Sequence, residues 1–458
     1  MKIITQTCAD LNSNFKLVTR FLRNYQVGLL LKQCNAYKTR GFSVISVFEY
    51  LLSVIFTNRS MYMNYVTSHH CPEFGKDTIY RFMNSPKIHW QKFTTLLAAR
   101  VTNQSLTRLT NESRENVLIV DDTLFERDRS KNVELLSRVF DHVKHRYTKG
   151  FRLLTLGWSD GNTFIPVSGS LLSSSDDRNL LNKADDRLDK RSIAARRRSQ
   201  SGRKATEVML ELIRSALNSG ISASYVLFDT WFCSPSSLIA VKKTGIDVIA
   251  MAKKTPKIHY LFEGEKKSVK AIYSACKKRR GRSRYLLSVD AAVQKDEIII
   301  PVRLVFVRNR NKRNDYLVLI TTDLTLSEDD IIRLYGKRWA IEVFFKVCKS
   351  YLKLTKSFRG LSFDAQTAHV AIVFKSYTML SLENRFNLDV RSIGELFYWT
   401  CDELDDITYQ ESYLLLIELM LSVCQDTLHL SEEKMVILLD QFLQNLPAMI
   451  KSSLKPCA

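Results

Sequence analysis

Val117-Leu118-Ile119-Val120-Asp121-Asp122-Thr123 reads as a strand that carries its charge at one end. Four consecutive apolar residues suit a strand covered on both faces, and carboxylates at its carboxyl end have no packing reason to be there. Tyr225-Val226-Leu227-Phe228-Asp229-Thr230 repeats the arrangement. A helix over Pro235 to Lys243 and a strand over Asp247 to Met251 follow, which makes a βαβ unit and so a parallel part of a sheet. Phe151 to Trp158, the turn at Ser159-Asp160-Gly161-Asn162 and Thr163 to Ser168 predict a hairpin beside the first strand. Strand ends next to a change of topology are where α/β sheets place ligands, so Asp121 or Asp122, and Asp229, are candidate site carboxylates.

A third candidate lies downstream. Ser327-Glu328-Asp329 has the character of a helix N-cap with acids in the first turn, and the pattern predicts one helix running past Lys349. At about 100° per residue, Tyr335, Arg338, Glu342 and Lys349 fall within an arc of roughly 60°. Leu334, Ile341, Phe345 and Cys348 form the neighbouring apolar stripe. Alone, such a face is equally an ion-paired solvent surface, with Arg338 four residues before Glu342. Beside two strand-end acids it reads differently: three carboxylates can bind two divalent ions about 4 Å apart for an in-line phosphoryl displacement. An all-oxygen site suits Mg2+, with Mn2+ able to substitute.

The spacing Tyr335-x2-Arg338-x3-Glu342-x6-Lys349 resembles the hallmark of the insertion sequence four family of bacterial Asp-Asp-Glu transposases. Asp121-Asp122-Thr123 resembles that family's first catalytic motif, Asp-x-Thr, and Phe228-Asp229-Thr230-Trp231-Phe232 its second. The resemblance implies an RNase H-like α/β core, a mixed sheet with flanking helices, interrupted by a β-rich insertion. It implies catalytic, metal-binding Asp121, Asp229 and Glu342, with Asp121 preferred to Asp122 because one residue then separates it from Thr123. Tyr335, Arg338 and Lys349 would bind DNA phosphates, and Trp231 or Trp339 would stack on a displaced base. The activity implied is cut-and-paste transposition: cleavage at terminal inverted repeats and strand transfer into target DNA by a dimer on double-stranded DNA. The alternatives are an RNase H-fold nuclease that only hydrolyses, or a catalytically inactive DNA-binding derivative.

Composition agrees with a polyanion partner. Lys and Arg number 68 against 47 Asp and Glu, a formal charge of +21 over 458 residues. A chain so basic attracts nucleic acid. Nine cysteines are scattered without a CxxC pair, as expected of reduced thiols in a cytoplasm, and the resemblance to bacterial transposases implies a bacterial, nucleoid-associated location. Neither a secretory leader nor a membrane span is expected, and Gly-rich nucleotide loops are absent, so no nucleotide cofactor is expected.

The expected organisation is a helical DNA-binding region over 1–112, in which Asp77 can cap a helix. A first part of the core over 113–252 follows, then a basic strand-rich insertion over 253–325. The rest of the core, with the Glu342 helix, spans 326–385, and a helical region that offers a candidate dimer face spans 386–458. Ser173 to Lys204, with Arg196-Arg197-Arg198, reads as a solvated connector or a DNA-contacting loop. His142 and His145 are candidate phosphate contacts. His69-His70-Cys71 lacks a partner pair at zinc spacing. Phe397, Tyr398 and Trp399, with the apolar spacing from Tyr413 to Val423, predict helix packing.

Overall fold

The computed structural model describes residues 16–386, apart from 57–60, 67–71, 110–114, 142–143, 186–187, 281–282, 310–311, 313–314 and 356–359, together with residues 432–445. His69, His70, Cys71, His142 and the segments 397–399 and 413–423 lie outside the described residues.

The described residues open with helices α1 (Lys16–Asn24), α2 (Val27–Gln33), α3 (Val44–Phe56), α4 (Met61–Val66), α5 (Lys76–Met83) and α6 (Trp90–Val101). Their apolar spacing does what a 3.6-residue period requires: Val47, Phe48, Leu51, Leu52 and Ile55 of α3 are all buried. The ring of Phe48 meets Trp90 and Phe93 of α6. Asp77 does not cap α5: Gly75 holds that position and Asp77 lies in the first turn, where its charge still suits the helix dipole.

An eleven-stranded sheet follows. Its strands are β1 (Val117–Glu126), β2 (Ser137–Asp141), β3 (Arg146–Ser159), β4 (Phe164–Leu172), β5 (Tyr225–Phe228), β6 (Asp247–Met251), β7 (His259–Phe262), β8 (Glu265–Ser268), β9 (Tyr285–Lys295), β10 (Ile298–Arg308) and β11 (Tyr316–Thr321). The strand order is β2-β3-β1-β5-β6-β11-β10-β9-β7-β8, with β4 also paired to β3. The run β4-β3-β1-β5-β6 combines an antiparallel meander with two parallel strands, which is the RNase H-like arrangement. The strand-rich segment does not stand apart as a second sheet, because β11 pairs directly with β6 and joins β10 and β9 to the core.

The remaining helices are α7 (Ile193–Ser201), α8 (Ala205–Asn218), α9 (Pro235–Lys242), α10 (Val269–Ala275), α11 (Glu328–Gly336), α12 (Trp339–Ser350), α13 (Phe363–Phe386) and α14 (Glu432–Asn445). α13 packs against β4 on one side and against α1, α3, α5 and α6 on others. It is therefore buried nearly all round, and a helix surrounded in this way shows no polar stripe. Lys375 on α13 is enclosed, donating from Nζ to the carbonyls of Thr94 at 3.1 Å and Pro166 at 3.4 Å. Burial without a carboxylate partner pushes its ammonium down to about 7.

The basic stretch before α8 is neither a DNA loop nor a solvated connector at Arg197 and Arg198, whereas Arg178, Arg191, Arg196 and Arg203 are exposed. Residues 193–201 form α7, whose Ser192 side chain accepts from Ala195 N. Arg197 and Arg198 both pair with buried Asp364 of α13, and Arg198 also pairs with Glu134 at 2.6 Å. Two of the three arginines in the run, Arg197 and Arg198, form an interior clamp onto α13, and Arg196 faces solvent.

Candidate active site

Register decides which carboxylates meet. β1 runs parallel to β5 only from Val117 to Val120, with Val120 opposite Phe228, where β5 ends. β1 continues to Glu126 against antiparallel β3. Asp121 and Asp229 are therefore the next residues beyond the last paired row of two adjacent parallel strands. Each carboxylate is braced by the backbone: Asp121 Oδ1 accepts from Asp122 N at 2.8 Å, and Asp229 Oδ1 from Trp231 N at 2.9 Å.

Alternation along β1 sends Asp121 and Thr123 to one face and Asp122 to the other. Asp122 pairs with Arg152 of β3 at 3.3 Å. Asp121 instead faces Arg338, whose Nη1 donates to Oδ2 at 3.1 Å. Burial, followed by the negative charge of Asp229, pushes the Asp121 carboxyl up to about 7, against the opposing pull of Arg338.

The helix expected to run unbroken past Lys349 is divided. α11 ends at Gly336 and α12 begins at Trp339, with i to i+3 bonds from Lys337 N to Leu334 O, Arg338 N to Tyr335 O and Ile341 N to Arg338 O. This tightened turn is fixed from outside: Lys337 Nζ donates to Glu115 O at 2.6 Å, and Arg333 pairs with Glu115 at 2.9 Å. Gly336, weak inside a helix, is where the regular ladder stops. Arg338 sits in the turn and Glu342 in the first turn of α12, where its charge faces the positive end of the helix dipole.

Arg338 gathers the site. Nη2 donates to Glu342 Oε1 at 2.5 Å while Nη1 holds Asp121. Its Nε is buried with no hydrogen-bond partner in the protein, and so is the neighbouring Tyr335 hydroxyl. Burial raises the Tyr335 phenol against the opposing charge of Arg338, with smaller upward pushes from Asp229 and Asp121, so it stays a neutral donor. Lys349, one helical stretch further on, donates to Thr123 Oγ1 at 2.6 Å. Burial draws its ammonium below the ordinary range. Tyr335, Arg338, Glu342 and Lys349 thus all border the Asp121 face of β1.

Trp231 and Trp339 are 57% and 63% exposed, two large aromatic faces open to solvent beside Asp229 and Arg338. The Lys253 ammonium lies 5.4 Å from the Trp231 ring centre. His145 is exposed on the turn into β3, at a positive φ of 48°. Sequence reading missed Arg152 as the partner of Asp122, and Thr123 as the acceptor for Lys349. Only the Thr of the Asp-x-Thr spacing hinted at the second.

Among the described residues no three His, Cys, Asp or Glu side chains lie close enough together to hold a metal ion. Asp121 and Asp229 nonetheless fit one chemically. They are hard oxygen donors on neighbouring strand ends, and their repulsion, visible in the raised Asp121 carboxyl, is what a divalent cation relieves.

A family model described as DDE superfamily endonuclease matches residues 59–296. That span contains Asp121 and Asp229 and ends before Glu342. Comparison with curated proteins gives no match. Among the described residues no helix is long and apolar enough to cross a membrane.

Proposed function

The chain belongs to the DDE superfamily of endonucleases, and from that premise we propose that it is a transposase, cutting DNA at terminal inverted repeats and joining the freed strand to target DNA. Endonucleases of this superfamily generally use divalent metals and act on DNA. The reading is carried by one observation, the placement of Asp121 and Asp229 side by side at the ends of parallel strands, with Glu342 reached through Arg338.

In this reading Asp121, Asp229 and Glu342 hold divalent ions, two Mg2+ in the proposed site, with Mn2+ as substitute. Bound there, metal supplies charge stabilisation to the attacking and leaving oxygens of a phosphodiester. The chain's own groups do the positioning. Arg338 Nε and the Tyr335 hydroxyl, two buried donors without acceptors, are matched to phosphate oxygens. Lys349 adds a cation braced by Thr123. Trp231 and Trp339 offer exposed faces on which an unstacked base can rest. Strands β9 and β10 extend the same sheet, and the basic turns around them, with Lys277, Lys278, Arg279 and Arg280 before β9, add backbone contacts along the duplex. The active species on DNA is a dimer.

The test is a joining assay. Purified protein, Mg2+, labelled DNA from the flanks of its own reading frame and a target plasmid should give joined products. Cut ends with no joined species would leave a hydrolytic nuclease, and binding without cutting an inactive derivative.

A further inference from the structure

Arg338 is placed to do more than bind phosphate. Its guanidinium is divided among three directions: Nη1 on Asp121, Nη2 on Glu342, and Nε buried with no acceptor. Guanidinium groups take phosphate in a fork, through two N–H groups on one edge. The edge with an uncommitted donor is Nε with Nη2. A phosphate seated there also meets the Tyr335 hydroxyl, the second uncommitted donor beside Arg338. Seated there, it shares Nη2, which has two N–H groups, with Glu342, and its negative charge draws the guanidinium off the carboxylate.

We propose that Arg338 is a positioning residue that couples DNA binding to metal binding: a phosphate taking its Nε–Nη2 edge releases Glu342, and with it the third oxygen donor, to the divalent cation. The inference rests on the metal centre of the preceding section and deepens it. A guanidinium and a divalent ion repel each other and share Asp121 and Glu342 as counter-charges, so each weakens the other's hold. Drawing Arg338 toward a phosphate removes its charge from the carboxylates and raises their demand for a cation. Linkage makes the effect mutual: DNA tightens metal binding by the factor by which metal tightens DNA binding, typically about 5- to 150-fold.

The measurement is Mn2+ affinity of the full chain, read from the spin resonance of free Mn2+, with and without a saturating short DNA duplex. Wild type should bind Mn2+ roughly fivefold or more tightly with DNA. Arg338→Gln should bind Mn2+ more tightly than wild type without DNA, and DNA should then change little. Arg338→Lys, which keeps a charge but not the fork, should fall between them. Should Arg338→Gln fail to fold, by circular dichroism, Glu342→Gln serves instead: it lacks the released ligand and should lose the DNA effect. Equal Mn2+ affinity with and without DNA in wild type, while Asp229→Asn weakens Mn2+ binding, overturns the coupling alone. Mn2+ binding untouched by both Asp229→Asn and Glu342→Gln overturns the metal centre and the coupling with it.

Discussion

Val120 and Phe228 face each other in the last parallel pair of β1 and β5, and the residues immediately after them are Asp121 and Asp229. Nothing local in either strand specifies that meeting; it follows from register. A slip of one residue would turn Asp122 to the Arg338 side and send Asp121 toward Arg152. The two adjacent acids are therefore expected to behave differently. Asp121→Asn should reduce metal-dependent cleavage to background. Asp122→Asn, which weakens the half-buried pair with Arg152, should keep most cleavage and change stability by about 1 kcal/mol or less. Equal losses in both variants would place the wrong acid in the site.

Lys349 and Thr123 provide a second contrast. Lys349→Ala removes a cation that the account assigns to a DNA phosphate, so DNA affinity should fall across all sequences and the slope of log affinity against log salt should drop by about 1. Thr123→Val removes only the 2.6 Å brace and should have the smaller effect on binding. An unchanged salt slope for Lys349→Ala would remove it from the DNA surface.

Lys375 sets a pH dependence of stability. Its ordinary value is 10.5, and in the fold it lies near 7. Between those values the unfolded chain binds a proton that the folded chain does not, so stability falls as pH drops through that window and levels below it. Lys375→Met removes the penalty. Its stability relative to wild type, from denaturant midpoints, should be more favourable at about pH 7 than at about pH 10. A difference independent of pH would mean that Lys375 stays charged in the fold.

Arg198 tests the buried clamp. Arg198→Ala leaves Asp364 and Glu134 without their shared partner and should cost about 3–5 kcal/mol in unfolding experiments. DNA binding by the remaining folded protein should be unchanged. A loss of affinity without a loss of stability would return this segment to the DNA surface.

Gly150 tests the sheet beneath the site. A Cβ there would lie 2.3 Å from Phe125 O, on the neighbouring strand β1. Gly150→Ala should therefore cost about 1–3 kcal/mol by forcing β1 and β3 apart, seen as a lowered melting temperature. A neutral substitution would mean that the two strands have slack at this row.

The parts of this fold that were legible in the sequence are those where one residue pattern has one physical explanation. Val117 to Val120 and Tyr225 to Phe228 must be buried on both faces, and the acids after them needed another reason. What was not legible depends on partners far away in the chain. β2 has five residues, and its exposed Arg138 gives no sign that it pairs with β3. The break at Gly336 is fixed by Glu115, which no helical projection of residues 328–349 includes. Arg197 and Arg198 look like any basic run until Asp364 closes on them. Which of Asp121 and Asp122 meets Arg338 likewise depends on the face of β1 that each occupies, which the doubled acid in the sequence does not reveal.

The most direct test of the central claim is strand cleavage by the full chain on DNA from its own flanks, with Mg2+ present or chelated, in wild type and Asp229→Asn. The account predicts breaks that require the metal and disappear in Asp229→Asn while DNA binding persists. Breaks of equal yield in the variant, or in chelator, would contradict it.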